Sequence, residues 1–246
     1  MALSSFADGS LFGTRFGTAA PRVVALHGWG RSHQDFASSL EGLDAISVDL
    51  PGFGVSPVPS EAGGASMYAN LVAPILDICD TPVILVGHSF GGRVAVHLAE
   101  QRPAAIGGIV LTGVPLLHRA HRRARPALPY RFGRLLNGWG LLSDGFLEGL
   151  RDKYGSADYR AVSGVMRDIL VTVVNESYEQ QLRSISAPVD LVWGDGDDAA
   201  PPEIAARAEA LLADARLTLL GGIDHFVPTT APFALREAID RRLGAL

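Results

Sequence analysis

A single cysteine, Cys79, stands in 246 residues, which excludes an intrachain disulfide and any metal site built from several thiolates. The seven histidines contain no His-Glu-x-x-His. Only His118 and His121 share a helical spacing, and the arginines around them disfavour a cation, so neither a metal nor another cofactor is expected. No run of 18 uncharged apolar residues is present to span a membrane. Met1-Ala2-Leu3-Ser4-Ser5 lacks the basic start and apolar core of a signal peptide, and a cytoplasmic setting with no stable membrane insertion is the expectation. Excess positive charge is missing too: the net charge is −5, and nucleic acid is not expected as a partner. What remains is an apolar content of 48% against 19% charged residues, enough for one sizeable globular core.

The stretch around Ser89 organises the rest. Val83-Ile84-Leu85-Val86 is a short, wholly apolar run of the kind buried on both faces of a sheet, and it enters Gly87-His88-Ser89-Phe90-Gly91. Phe90, Val94 and Leu98 then recur at helical spacing. Strand, sharp turn and helix are the context of a nucleophile elbow, in which a strained turn lifts a serine hydroxyl off the end of a buried strand.

Around this unit the sequence predicts an alternation of strands and helices. Asp8-Gly9 marks a hairpin between strands at 2–7 and 11–17. Val23-Val24-Ala25-Leu26 and Ala45-Ile46-Ser47-Val48 follow as strands, with Ser32-x-x-Asp35 predicted to open a helix reaching Leu40 through a capping box. Ser66 is expected to cap a helix over 67–79 that carries Cys79 as a small buried residue. Helix 89–102 and strand 109–111 come next. Between residues 114 and 187 no strand pattern appears, and Tyr159, Val162, Met166, Ile169 and Val173 form one amphipathic stripe. Strand 189–193, helix 203–213, strand 216–220 and a last helix from Pro232 to Leu243 close the chain. Right-handed crossovers between such strands give a mostly parallel, twisted sheet flanked by helices, with 1–113 and 188–246 as the α/β core and 114–187 as a helical cap, or lid. Ligands bind such sheets at the carboxyl ends of the strands, where His27, Asp49, Ser89 and Gly113 all fall.

A serine hydroxyl needs a base to take its proton, and the base needs a third group to hold its tautomer. His225 follows the last strand, and Asp195, Asp197 and Asp198 follow the strand before it, in the order Ser, Asp, His. Five landmarks, His27-Gly28-Trp29-Gly30, Asp49-Leu50-Pro51-Gly52-Phe53-Gly54, Gly87-His88-Ser89-Phe90-Gly91-Gly92, Trp193-Gly194-Asp195-Gly196-Asp197 and Asp224-His225, together resemble the α/β-hydrolase-fold family over nearly the whole chain. That resemblance implies Ser89 as nucleophile, His225 as base and Asp197 as acid, with Asp195 and Asp198 as rivals. It also implies an oxyanion hole from the backbone N–H groups of Trp29 and Phe90, whose side chains, with His88, would line the substrate site.

Asp224 departs from the family pattern, in which glycine usually precedes the histidine; a side chain turned to solvent is expected there, although competition for the His225 N–H is the alternative. Arginines crowd 119–134, suited to a substrate carboxylate or phosphate, to an anionic membrane surface, or to a solvated lid face. Arg93 fits a helix surface. The implied activity is cofactor-free cleavage of small to medium carboxylic esters through an acyl-serine, with a small molecule as the partner and the oligomeric state left open. Carbon–carbon hydrolysis, a lyase step of menaquinone synthesis on a carboxylated substrate, and a non-catalytic receptor are the alternatives within the same fold.

Overall fold

The computed structural model describes residues 3–80, 82–119 and 157–246. Eight strands form one sheet: β1 (Leu3–Phe6), β2 (Leu11–Phe16), β3 (Val23–Leu26), β4 (Ala45–Asp49), β5 (Val83–His88), β6 (Ile106–Thr112), β7 (Val189–Gly194) and β8 (Ala215–Leu220). Their order across the sheet is β1-β2-β4-β3-β5-β6-β7-β8. The β1–β2 and β2–β4 pairs are antiparallel and every other pair is parallel.

The apolar strand runs are buried on both sides, and their residues divide alternately between two cores, as the period of two demands. Val24, Leu26, Leu85, Ile109, Leu111 and Leu191 face one core. Val23, Ala25, Ile84, Val86, Val110 and Val192 face the other. Helices α1 (Ala37–Leu40) and, near the end of the chain, Pro232–Leu243 cover the second face; α2 (Ala65–Val72) and α3 (Phe90–Gln101) cover the first. Asp190, fully buried on β7, accepts from Arg241 Nη2 at 3.1 Å and from Arg242 Nε, which ties the last helix to the sheet at the end away from the site.

Three helix expectations are corrected. Ser32 accepts a weak bond from Gln34 N–H at 3.4 Å, but Asp35 pairs with Arg31 and closes no capping box, so a 3₁₀ turn (His33–Phe36) precedes α1. The helix expected over 67–79 starts earlier, at Ala65, with Gly64 as its cap residue; its first free N–H donates to the Glu176 carboxylate, and Ser66 lies inside it. Beyond Val72 it tightens into a 3₁₀ segment, Ala73–Ile78, in which Pro74 has no N–H to continue the α ladder. Cys79 beyond it is only half-buried, its thiol pushed up to about 11 by burial.

The stripe from Tyr159 to Val173 is also two helices, α4 (Ala157–Ala161) and α5 (Gly164–Val173), because Gly164 takes φ +54° and breaks the run. Met166, Ile169, Leu170 and Val173 of α5 are buried in the same core as α2 and α3. Among the described residues of 114–187 there is no strand, only α4, α5 and α6 (Glu179–Ser184).

Candidate active site

Ser89 sits between β5 and α3 with φ +48° and ψ −112°. This is a glycine-favoured conformation that a serine holds only where its surroundings enforce it. They do so at both ends: Ser89 N–H donates to Thr112 O at 3.0 Å, and Gly91 N–H donates to His27 O at 3.0 Å. The second contact needs glycine, because a Cβ on residue 91 would lie 2.1 Å from Leu26 O. Phe90 opens α3, so its N–H has no intrahelical carbonyl a turn earlier to donate to.

His225 follows β8, and its ring links two groups. Nε2 is 3.1 Å from Ser89 Oγ and Nδ1 is 2.8 Å from Asp197 Oδ2. A carboxylate only accepts, so Nδ1 carries the hydrogen and Nε2 is left bare to accept from the serine hydroxyl. Asp197 is 2% exposed, and its Oδ1 accepts from the N–H groups of Ala199 at 2.9 Å and Ala200 at 2.7 Å. The Trp193 indole N–H donates to Ala200 O at 2.7 Å and fixes the same turn. Gly194 lets the two loops touch: a Cβ there would lie 2.3 Å from Ile223 O.

The rivals go elsewhere. Asp195 is exposed and its Oδ1 accepts from Gly222 N–H at 2.8 Å, while Asp198 is exposed. Asp224 is exposed and accepts from Phe226 N–H at 2.9 Å, not from the His225 ring.

The remaining histidines near the site hold loops. His27 Nε2 accepts from Leu50 N–H at 2.9 Å, which leaves Nδ1–H to donate to Gly28 O at 2.7 Å; burial lowers its pKa. His88, 1% exposed, donates Nε2–H to His225 O at 3.0 Å, so it anchors the loop that bears His225, and it also lines the cavity beside Ser89. Its pKa is pushed down to about 3, chiefly by burial and then by neighbouring His225.

The fall of the His88 value below 6.5 has a measurable consequence. The unfolded chain takes up this proton more readily, so stability is lost as pH drops from about 6.5 towards 3. By pH 5 the His88 contribution to the loss is about 2 kcal/mol, with buried His27 adding in the same direction. Urea midpoints at pH 7 and pH 5 measure the difference, and His88→Gln is expected to shrink it.

Above Ser89 opens a cavity of about 560 Å³. Among the described residues its apolar wall includes Trp29, Phe90, Leu170, Val173, Ile204 and Phe226. Trp29 and Phe90 meet edge to face with centroids 5.3 Å apart, so both side chains are packed as well as lining.

Four charged groups on the cavity wall were not singled out as site residues from the sequence. Arg31 is held by Asp35 through two bonds of 2.7 Å and lies over the Phe226 ring at 5.3 Å; only its i,i+4 spacing to Asp35 signalled this. Asp158 lies at the wall on α4. Glu176 and Arg93 complete the group, Arg93 being 7% exposed and not on a helix surface. Of the arginine-rich stretch, Arg119 alone is described: it donates to the carbonyls of Asp198 and Ala199, the latter at 3.1 Å; the rest of 119–134 lies outside the described residues. Among the described residues no group of three or more His, Cys, Asp or Glu side chains is placed to hold a metal, and no helix is long and apolar enough to cross a membrane.

Comparison with known proteins agrees with this architecture. An esterase of Mycobacterium tuberculosis is 34% identical over 110 residues, 43% of this chain and 37% of that protein. The 2-hydroxy-6-oxononadienedioate/2-hydroxy-6-oxononatrienedioate hydrolase of Cupriavidus pinatubonensis is 27% identical over 246 residues, covering 85% of this chain and 82% of its own. A crystal structure of an esterase from a Rhodococcus species shares the fold, with a TM-score of 0.70 at 24% identity over 100% of this chain and 98% of that one. Residues 23–238 match the model of the alpha/beta hydrolase family, and with that span matched the chain belongs to the α/β-hydrolase family, as a hydrolase.

Proposed function

We propose that this hydrolase cleaves carboxylic esters of small to medium acyl groups through an acyl-Ser89 intermediate. The observation that carries the reading is the continuous line from Ser89 Oγ through the His225 ring to Asp197, at 3.1 and 2.8 Å, on a strained turn at the floor of the cavity. Ser89 Oγ attacks the ester carbonyl as its proton passes to His225 Nε2. Asp197 holds Nδ1–H and stabilises the imidazolium that forms. The N–H groups of Phe90 and Trp29 receive the negative charge that develops on the carbonyl oxygen. His225 then protonates the departing alcohol, and a water activated by the same nitrogen hydrolyses the acyl-serine. No cofactor enters these steps.

Residues 114–187 act in this reading as a lid whose helix α5 supplies the apolar wall at Leu170 and Val173. A cytoplasmic setting fits a chain with one half-buried thiol. Carbon–carbon cleavage is the second reading, favoured by the likeness to the Cupriavidus hydrolase.

The test is a fluorophosphonate probe followed by peptide mapping, alongside hydrolysis of para-nitrophenyl esters of increasing acyl length. We expect a single adduct on Ser89 and turnover that falls once the acyl chain outgrows the cavity. An adduct on Ser89 with none of the esters cleaved would turn the reading to carbon–carbon substrates, and absence of both would leave a receptor.

A further inference from the structure

We propose that Arg93 is a recognition residue for a carboxylate on the acyl part of the substrate, so that the preferred substrates are half-esters of dicarboxylic acids. The proposal deepens the ester-hydrolase reading and rests on it for the reaction, though not for the binding.

Arg93 lies one turn into α3, its N–H 3.4 Å from Ser89 O. A long side chain on a helix leans back towards the helix start, which here is the Ser89 turn. The side chain is 7% exposed and lines the same cavity as Ser89. Its one protein hydrogen bond among the described residues runs from Nη1 to Val173 O, and its Cζ lies 5.8 Å from the centre of the Tyr178 ring.

No carboxylate stands within ion-pair distance of it among the described residues. Glu176 is the nearest acid in effect, but both its oxygens are used: they accept from Ala65 N–H at 3.2 and 3.3 Å, and Oε2 also accepts from the Tyr178 hydroxyl. A guanidinium has five N–H donors in a rigid fork, and burying one unpaired is costly. The cavity is the open side, where a carboxylate would complete the fork in a medium that screens it poorly.

The other lining arginines are less suited. Arg31 is already neutralised by Asp35 in two bonds. Arg119 is half-buried and spends Nη2 on two backbone carbonyls. The cavity that Ser89 and Arg93 share is also lined by Leu170, Val173 and Val174, an apolar surface that suits the methylenes that would separate an ester from a distal carboxylate.

The test compares two para-nitrophenyl esters of equal chain length, the half-ester of glutaric acid and the pentanoate. The wild-type kcat/KM is expected to favour the half-ester by about tenfold or more, the range of a charge-assisted bond. Arg93→Met is expected to bring the ratio to about one or below, and Arg93→Lys, which keeps the charge without the fork, to an intermediate value. A merely structural tie to Val173 would instead lower both rates together and leave the ratio in place. A wild-type ratio of one or less, or a ratio kept by Arg93→Met, overturns the proposal.

Binding separates this result from the reaction itself. In Ser89→Ala, calorimetry is expected to show monomethyl glutarate bound more tightly than methyl pentanoate, with the difference lost when Arg93→Met is added. If neither ester is cleaved yet this difference is found, the carboxylate site stands and the ester reading falls. If the esters are cleaved with no preference and no binding difference appears, the reverse holds. Should Arg93→Met not fold, the wild-type ratio, Arg93→Lys and the wild-type cavity in Ser89→Ala decide the question.

Discussion

Ser89→Ala is expected to lower ester turnover by roughly 10⁴- to 10⁶-fold while the protein stays folded, leaving only what the oxyanion donors and binding supply. The loss alone would not separate chemistry from folding, because Ser89 also occupies a strained backbone position at φ +48°. Alanine retains that strain, since its Cβ meets the same backbone atoms as serine's. Ser89→Gly releases it, at the expense of a floppier unfolded chain, so the two variants should be equally inactive but differ in stability. Strain of this kind is worth about 1–3 kcal/mol and the glycine entropy about 0.5–1 kcal/mol, so Ser89→Gly should be the more stable of the two. Denaturation midpoints for both, with rates on a para-nitrophenyl ester, make the comparison. An active Ser89→Ala would end the nucleophile assignment; a Ser89→Gly less stable than Ser89→Ala would show that the turn is not strained.

The sheet was legible because its strands are short apolar runs, and the two-sided burial of Val23-Val24-Ala25-Leu26 and Val83-Ile84-Leu85-Val86 follows from composition alone. The placement of Ser89 and His225 at one sheet edge was legible for the same reason: the strands ahead of them fix where their loops emerge. Errors gathered where distant residues decide local structure. The start of α2 is marked by Glu176, 111 residues away along the chain, which accepts from the Ala65 N–H and so lets the helix begin ahead of Ser66. Arg93 looks like any helix-surface arginine until α5 and the loop to Tyr178 cover it. The break at Gly164 was visible as a glycine, yet the apolar spacing ran straight through it, and spacing does not register a positive φ.

Among three aspartates within four residues, only a three-dimensional register could place one at His225, and this choice carries the second large expected effect. Asp197→Asn should lower turnover by about 10⁴-fold with little change in fold. An asparagine amide facing Nδ1 donates a hydrogen where the carboxylate accepted one. The ring then answers with bare Nδ1 and protonated Nε2, and a protonated Nε2 cannot take the proton from Ser89. The fold survives because the Asn carbonyl oxygen can still accept from Ala199 and Ala200 N–H, and Trp193 still holds Ala200 O. Asp195→Asn and Asp198→Asn should change turnover by less than about tenfold, since Asp195 serves Gly222 N–H, which an amide oxygen accepts equally well, and Asp198 is exposed. Steady-state rates for the three variants, measured side by side with their melting temperatures, test the assignment. A large loss in Asp195→Asn or Asp198→Asn with Asp197→Asn near wild type would move the acid to another residue, and equal small losses in all three would show that His225 needs no carboxylate to hold its tautomer.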